Sequence, residues 1–138
     1  MHATKLGLLV AAMTVPLSAA WATPKSAVEK RYSAAYNSCM NSGDAAHGVT
    51  SGIMDCNGAE IDLQDARLNQ AYKMVMSRLD DQQKTVLRTS ERNWIKSRDA
   101  ACKKSVGDEE GGTLGTVMYS NCILDETISR TIYLENHR

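Results

Sequence analysis

Nucleophilic catalysis needs a serine, threonine or cysteine beside a base that is itself held in orientation. Bases suited to that task are scarce in this chain. Beyond the first two dozen residues it has two histidines, His47 in a polar stretch and His137 next to the last residue. The four cysteines are Cys39, Cys56, Cys102 and Cys122; they form no C-x-x-C pair, and their spacings fit no common zinc finger. His47 and Asp44 could touch a metal, yet the reading adopted is of no metal and no cofactor. No arrangement of acidic residues points to the carboxylate pair that cleaves glycosides. The chain is therefore read as a binding protein and not an enzyme.

The cysteines fit a different chemistry. The first 22 residues carry one lysine, an apolar run of about a dozen residues, and small residues at Ala20 and Ala22. This is the pattern of a secretory signal peptide cleaved after Ala22. The run is too short for a helix crossing a hydrocarbon core of roughly 30 Å, and no lipid-accepting cysteine follows it. Residues 1–22 are thus expected to be a signal peptide and residues 23–138 a single domain, periplasmic or secreted, without a membrane anchor. An even number of cysteines in such a compartment predicts disulfides. Three connectivities are available. The sequential one, Cys39–Cys56 and Cys102–Cys122, closes loops of about 17 and 20 residues, each worth roughly 3 kcal/mol in the chain-entropy view.

The whole chain balances 16 basic against 16 acidic residues, which gives no reason to expect nucleic acid or an anionic membrane as partner. Phenylalanine is absent, so the core must come from Leu, Ile, Val, Met, Ala and tyrosines.

These residues need helices to position them. Ser26 and Glu29 have capping-box spacing, and Val28, Tyr32, Ala35, Tyr36 and Cys39 recur at three and four residues, predicting one helix from 26 to about 41. A loop over 44–49 follows. A second helix is expected from Thr50 or Ser51 to about Leu79, with Asn57-Gly58 bending it or delaying its start until after Cys56. Asp80-Asp81 opens a third, from 82 to about 105, with Leu87, Glu91, Trp94, Arg98, Ala101 and Cys102 on one stripe. The glycine-bounded stretch 107–112 breaks the chain. Thr113 then caps a fourth helix to about Glu135, facing inward through Leu114, Val117, Met118, Cys122, Ile128, Thr131 and Leu134. No period-two alternation appears, so the expected fold is all-α: a small disulfide-stapled bundle of about four helices. A Cys102–Cys122 bridge would lock its last helical hairpin.

Asp65 and Asn69 share a helix face, as do Trp94 and Arg98. If their two helices were antiparallel neighbours, Asp65 and Arg98 could pair between them, and Asp65, Asn69 and Arg98 are read as a structural polar network with Trp94 in the core. The spaced elements Asp65-x-x-Leu68-Asn69-x-x-Tyr72, Trp94-Ile95-x-x-Arg98-Asp99-x-x-Cys102, Gly111-Gly112, Tyr119-Ser120-x-Cys122 and Thr127-x-x-Arg130 also occur in order over about 39–134. In this the chain resembles the LprI-like family, exported bacterial proteins named after a lysozyme inhibitor. The resemblance implies a cysteine-stapled helical fold outside the cytoplasm and inhibition of a peptidoglycan-degrading enzyme. Small exported proteins of this look also serve as immunity proteins against injected cell-wall amidases. The name-giving inhibitor is a lipoprotein; this chain lacks the cysteine that would carry the lipid.

A peptidoglycan hydrolase, muramidase or amidase, is accordingly the expected partner, and a homodimer is compatible with that role. The contact is expected through the acidic loop of Asp108, Glu109, Glu110 and Gly111, which a Cys102–Cys122 bridge would hold rigid and whose charge suits a basic enzyme. His47 and its loop are the second candidate. The competing reading is a non-inhibitory envelope module.

Overall fold

The computed structural model describes residues 23–136; the expected signal peptide and His137 lie outside them. Six α-helices follow in order: α1 (Lys25–Glu29), α2 (Ala34–Met40), α3 (Gly43–Ala46), α4 (Thr50–Met76), α5 (Asp81–Val106) and α6 (Thr113–Glu135), with a 3-10 turn at Gly107–Glu109 between the last two. No strand occurs among the described residues. The chain is all-α, as expected.

The single first helix is in fact two. Ser33 takes an extended backbone (φ −70°, ψ 155°) and caps α2, its hydroxyl accepting from the Tyr36 N–H at 2.9 Å. The Ser33 N–H donates to the Glu60 carboxylate at 2.9 Å, a partner that a continuing helix would have withheld. The Ser26–Glu29 capping box does not form, because Pro24 occupies the N-cap position of α1. A complete box stands instead at Asp80 and Gln83, opening α5. Asn57-Gly58 neither bends nor delays α4: the Asn57 side chain is spent on partners outside its own helix, and a helical glycine costs only about 1 kcal/mol. Val49 and Gly112, not Thr50, Ser51 or Thr113, sit at the N-caps of α4 and α6.

The expected loop after Cys39 contains the four-residue α3, seated on the first turn of α4. A Cβ at Gly52 would come within 2.6 Å of the Ala45 backbone nitrogen, so glycine is what allows the approach.

The register of the long helices follows from their side-chain partners. Asn57 on α4 donates to Ser120 and Asn121 on α6, each at 2.7 Å, while Ala71 and Val75 pack with Leu134. The two helices therefore run parallel and begin level with one another. Along α5 the partners on α6 descend: Glu91 meets Arg130, Arg98 meets Thr127, and Cys102 bonds Cys122. Thus α5 is antiparallel to both. Both expected disulfides are present, Cys39–Cys56 and Cys102–Cys122, with Cα atoms 5.8 and 5.5 Å apart.

Without phenylalanine the core is divided. One cluster joins Ala71, Val75, Leu87 and Leu134, with Leu68, Tyr72, Met76 and Leu79 packed on it. The other joins Val28, Leu124 and Ile128, with Tyr32, Tyr36, Ile61 and Ile132 around it. Full burial of Leu124, Ile128 and Leu134 contributes roughly 1.5–3 kcal/mol each. Leu114, expected to face inward, is exposed instead, and so is Ala101 of the expected third-helix stripe.

Beside the second cluster lies a buried polar seam. The Glu60 carboxylate accepts from the Ser33 N–H, the Ser33 hydroxyl and Gln64 Nε2. Gln64 and Arg67 also donate to the Arg31 carbonyl. Asn57 Oδ1 accepts from the Tyr36 hydroxyl at 3.0 Å, and Tyr32, stacked on Tyr36, donates to Asp125. Burial, then the Asp125 hydrogen bond, raise the Tyr32 phenol well above its ordinary range, so it stays protonated. No buried side-chain donor or acceptor among the described residues lacks a partner.

Candidate functional site

Because α4 and α6 start side by side, α3 with His47, the 107–112 turn and the C-terminal end of α5 share one end of the bundle. Both disulfides lie near that end, one under each connection. The acidic turn is built by glycines where the backbone needs them: Gly107 and Gly111 have φ of 55° and 87°, a region costly for other L-residues. Gly115 sits directly beneath. An ideal Cβ there would lie 2.0 Å from the Glu109 carbonyl oxygen, so the turn rests on bare α6 backbone.

Glu110 reaches back to Lys103 at 3.2 Å. Asp108 and Glu109 are exposed and take part in no ion pair among the described residues. Nor does either cap α6, whose N-cap Gly112 makes no side-chain bond. Two carboxylates are thus presented to solvent without a structural task. His47, by contrast, is bonded within its own connection: Nδ1 lies 2.7 Å from the Gly43 carbonyl oxygen. No group of three or more His, Cys, Asp or Glu side chains placed to hold a metal occurs among the described residues.

The motif residues converge elsewhere, on the middle of α5 and the second half of α6. Arg98 pairs with its neighbour Asp99 at 2.8 Å, reaches Thr127 at 3.4 Å and lies 5.1 Å over the Trp94 ring. Arg130 pairs with Glu91 at 2.5 Å, donates to Ser90 at 2.9 Å, and lies over both Trp94 and Tyr133. Trp94 is therefore a half-exposed plate between guanidinium groups and not a core residue. The direct Asp65–Arg98 ion pair does not form. Asp99, one residue away, takes the guanidinium, and the close partner of both α4 and α5 is α6. Asp65 still lies within electrostatic reach of Arg98, whereas Asn69 is exposed on the outer face of α4. The Arg130–Glu91 brace was missed because its halves are 39 residues apart and only Arg130 stood in a recognised element.

Desolvation holds the Asp65 carboxyl above its ordinary value of 3.8, against the pull of Arg98 and assisted by Asp62. A carboxyl raised in the folded state stabilises below its unfolded pKa and loses that contribution as pH rises through the folded one. Asp65→Asn is expected to raise Tm at pH 7 and to gain nothing below about pH 4. A lower Tm at pH 7, followed by scanning calorimetry, would mean that the attraction of Arg98 outweighs burial.

This arrangement, two stapled connections at one end and an arginine–tryptophan brace along the last hairpin, coincides with a family model described as lysozyme inhibitor LprI, matched over residues 39–134. The chain belongs to the LprI family. The LprI match opens at Cys39 and closes at Leu134, so it takes in both disulfides, both connections and the whole brace, and leaves α1 outside. No curated protein and no solved structure matches the chain at a significant level. Membership carries the description of a lysozyme inhibitor, and with it a lysozyme-type hydrolase as the kind of partner an LprI domain binds.

Proposed function

We propose that this chain is an exported inhibitor, working in the periplasm, that blocks a muramidase of the lysozyme type by seating the stapled end of its bundle over the enzyme's cleft. The observation that carries this reading is the pair of unpartnered carboxylates, Asp108 and Glu109, on a turn already ordered by its glycines, by Gly115 and by the Cys102–Cys122 bridge. An ordered turn loses little further freedom on binding. Its charge meets cations on the rim of a basic enzyme and speeds the encounter. Inhibition is then steric: the bundle end excludes the glycan from the catalytic carboxylates without touching the chemistry. His47 and the α3 connection supply the neighbouring contact at the same end.

The test is clearing of a peptidoglycan suspension by a purified basic muramidase, and in parallel by a peptidoglycan amidase. The wild-type protein is expected to stop the muramidase near equimolar ratio. The Asp108→Ala, Glu109→Ala, Glu110→Ala triple variant should raise the inhibition constant at least about tenfold, mainly through slower association with weaker salt dependence, while Tm moves by less than about 2 °C. Slowing of the amidase alone would assign the protein as an amidase immunity protein. Slowing of neither enzyme at stoichiometric excess would refute the inhibitor reading.

A further inference from the structure

Beside the acidic turn, a groove of about 520 Å³ runs between the end of α5 and the start of α6. That volume lies within the roughly 300–1,000 Å³ typical of ligand pockets. Its walls are apolar, from Ala100, Val106 and Tyr119, and its rim is charged, from Asp99, Lys103 and Glu110. Tyr119 is a large side chain left exposed at this groove. We propose that this groove is the specificity subsite of the inhibitory contact, and that it takes one cationic, long-stemmed side chain of the hydrolase, an arginine or a lysine. The proposal rests on the inhibitor reading above.

The chemistry of the rim selects the occupant. Long cationic side chains lay their methylene stems along apolar surface while the charged head stays at a polar edge. Here the stem has Ala100, Val106 and Tyr119 to lie on, and the head has Asp99 and Glu110 to meet. The chain's own Lys103 shows that the rim accepts a cation: its ammonium sits 3.2 Å from Glu110, yet its side chain remains 70 % exposed. A partner cation can displace it, because Lys103 returns to water at little cost. Asp99 is held by Arg98 from its own helix, so its carboxylate is fixed in place before any partner arrives. The groove also adjoins Glu110 and Gly111 of the acidic turn. One approach therefore engages both, with the turn steering and the groove selecting.

The decisive experiment measures inhibition of a purified basic muramidase by variants that alter the groove without touching Asp108 or Glu109. Ala100→Trp fills it from α5 and Thr116→Trp from α6; both positions are solvent-exposed on helices. Each filler should raise the inhibition constant tenfold or more while circular dichroism and Tm stay at wild-type values. Lys103→Met, which removes the competing cation and keeps the stem, should lower the constant about threefold. Fillers that fold and inhibit as wild type would overturn the subsite, and so would a weaker Lys103→Met. If the triple alanine variant of the turn still loses inhibition in that case, the inhibitor reading survives and only the groove falls. If the wild type does not inhibit, both fall.

Discussion

Replacing Cys102 and Cys122 together by alanine is expected to lower the unfolding free energy by about 3 kcal/mol, or roughly 10–15 °C in Tm for a domain of this size. The bridge closes a 20-residue separation that contains the end of α5, the acidic turn and the first turns of α6. Without it the unfolded chain recovers the freedom of that loop, while the native hairpin keeps the packing of Leu87 in one cluster with Leu134 and the Arg130–Glu91 pair. Cys102 is fully buried, so the alanine pair also loses contacts near the turn end of the hairpin. A second consequence concerns binding. The turn is tethered at its base by this bridge, and an untethered turn must be ordered by the partner, weakening inhibition about tenfold at a temperature where the variant is still folded. Thermal melts of the wild type and the alanine pair give the stability half of the answer; an unchanged Tm would show that this bridge does not staple the fold.

The other large effect falls on Glu60, 3 % exposed. Its carboxylate is the meeting point of Ser33 and Gln64, and through Ser33 it creates the boundary between α1 and α2. Glu60→Ala leaves two Ser33 donors without their acceptor and opens a space beside Tyr36. The expected loss is about 2–4 kcal/mol. Glu60→Gln keeps the shape and leaves its one oxygen for the Ser33 N–H and Gln64, but turns a donor group toward the Ser33 hydroxyl, and should lose about half as much. Amide exchange separates this from a general loosening: Ser33 and Tyr36 should lose protection before the α4–α6 core does. Uniform loss across the molecule would show that Glu60 is a packing residue only.

The contrast between these two sites explains what could be read in advance. The staples were legible because cysteine number, spacing and the expected compartment converge on one chemistry, and Asp80 and the 107–112 glycines mark real helix ends. The α1–α2 break was not legible, because Val28, Tyr32 and Tyr36 keep helical phase straight through it. What breaks the helix is Glu60, 27 residues downstream. The same holds for Asn57, a residue of low helix propensity whose side chain is satisfied by Tyr36 on α2 and by Ser120 and Asn121 on α6. Long-range hydrogen bonding overrides local preference at both places. At the candidate site, the acidic turn was legible from composition and flanking glycines. The neighbouring groove was not, since its residues are drawn from both sides of the turn and become contiguous only when α5 lies against α6. The expected Asp65–Arg98 link failed for the opposite reason: its geometry was conditional on which helices touch, and a closer carboxylate, Asp99, was available.

Hydrogen exchange of the complex with a muramidase locates the inhibitory contact on the bundle. If the stapled end makes that contact, new protection is expected over the first turns of α4 and α6, the α3 connection and the 107–112 turn, with exchange unchanged around Ser77–Asp80 and the end of α6. Protection confined to that opposite end, with the acidic turn exchanging as freely as in the unbound protein, would contradict it.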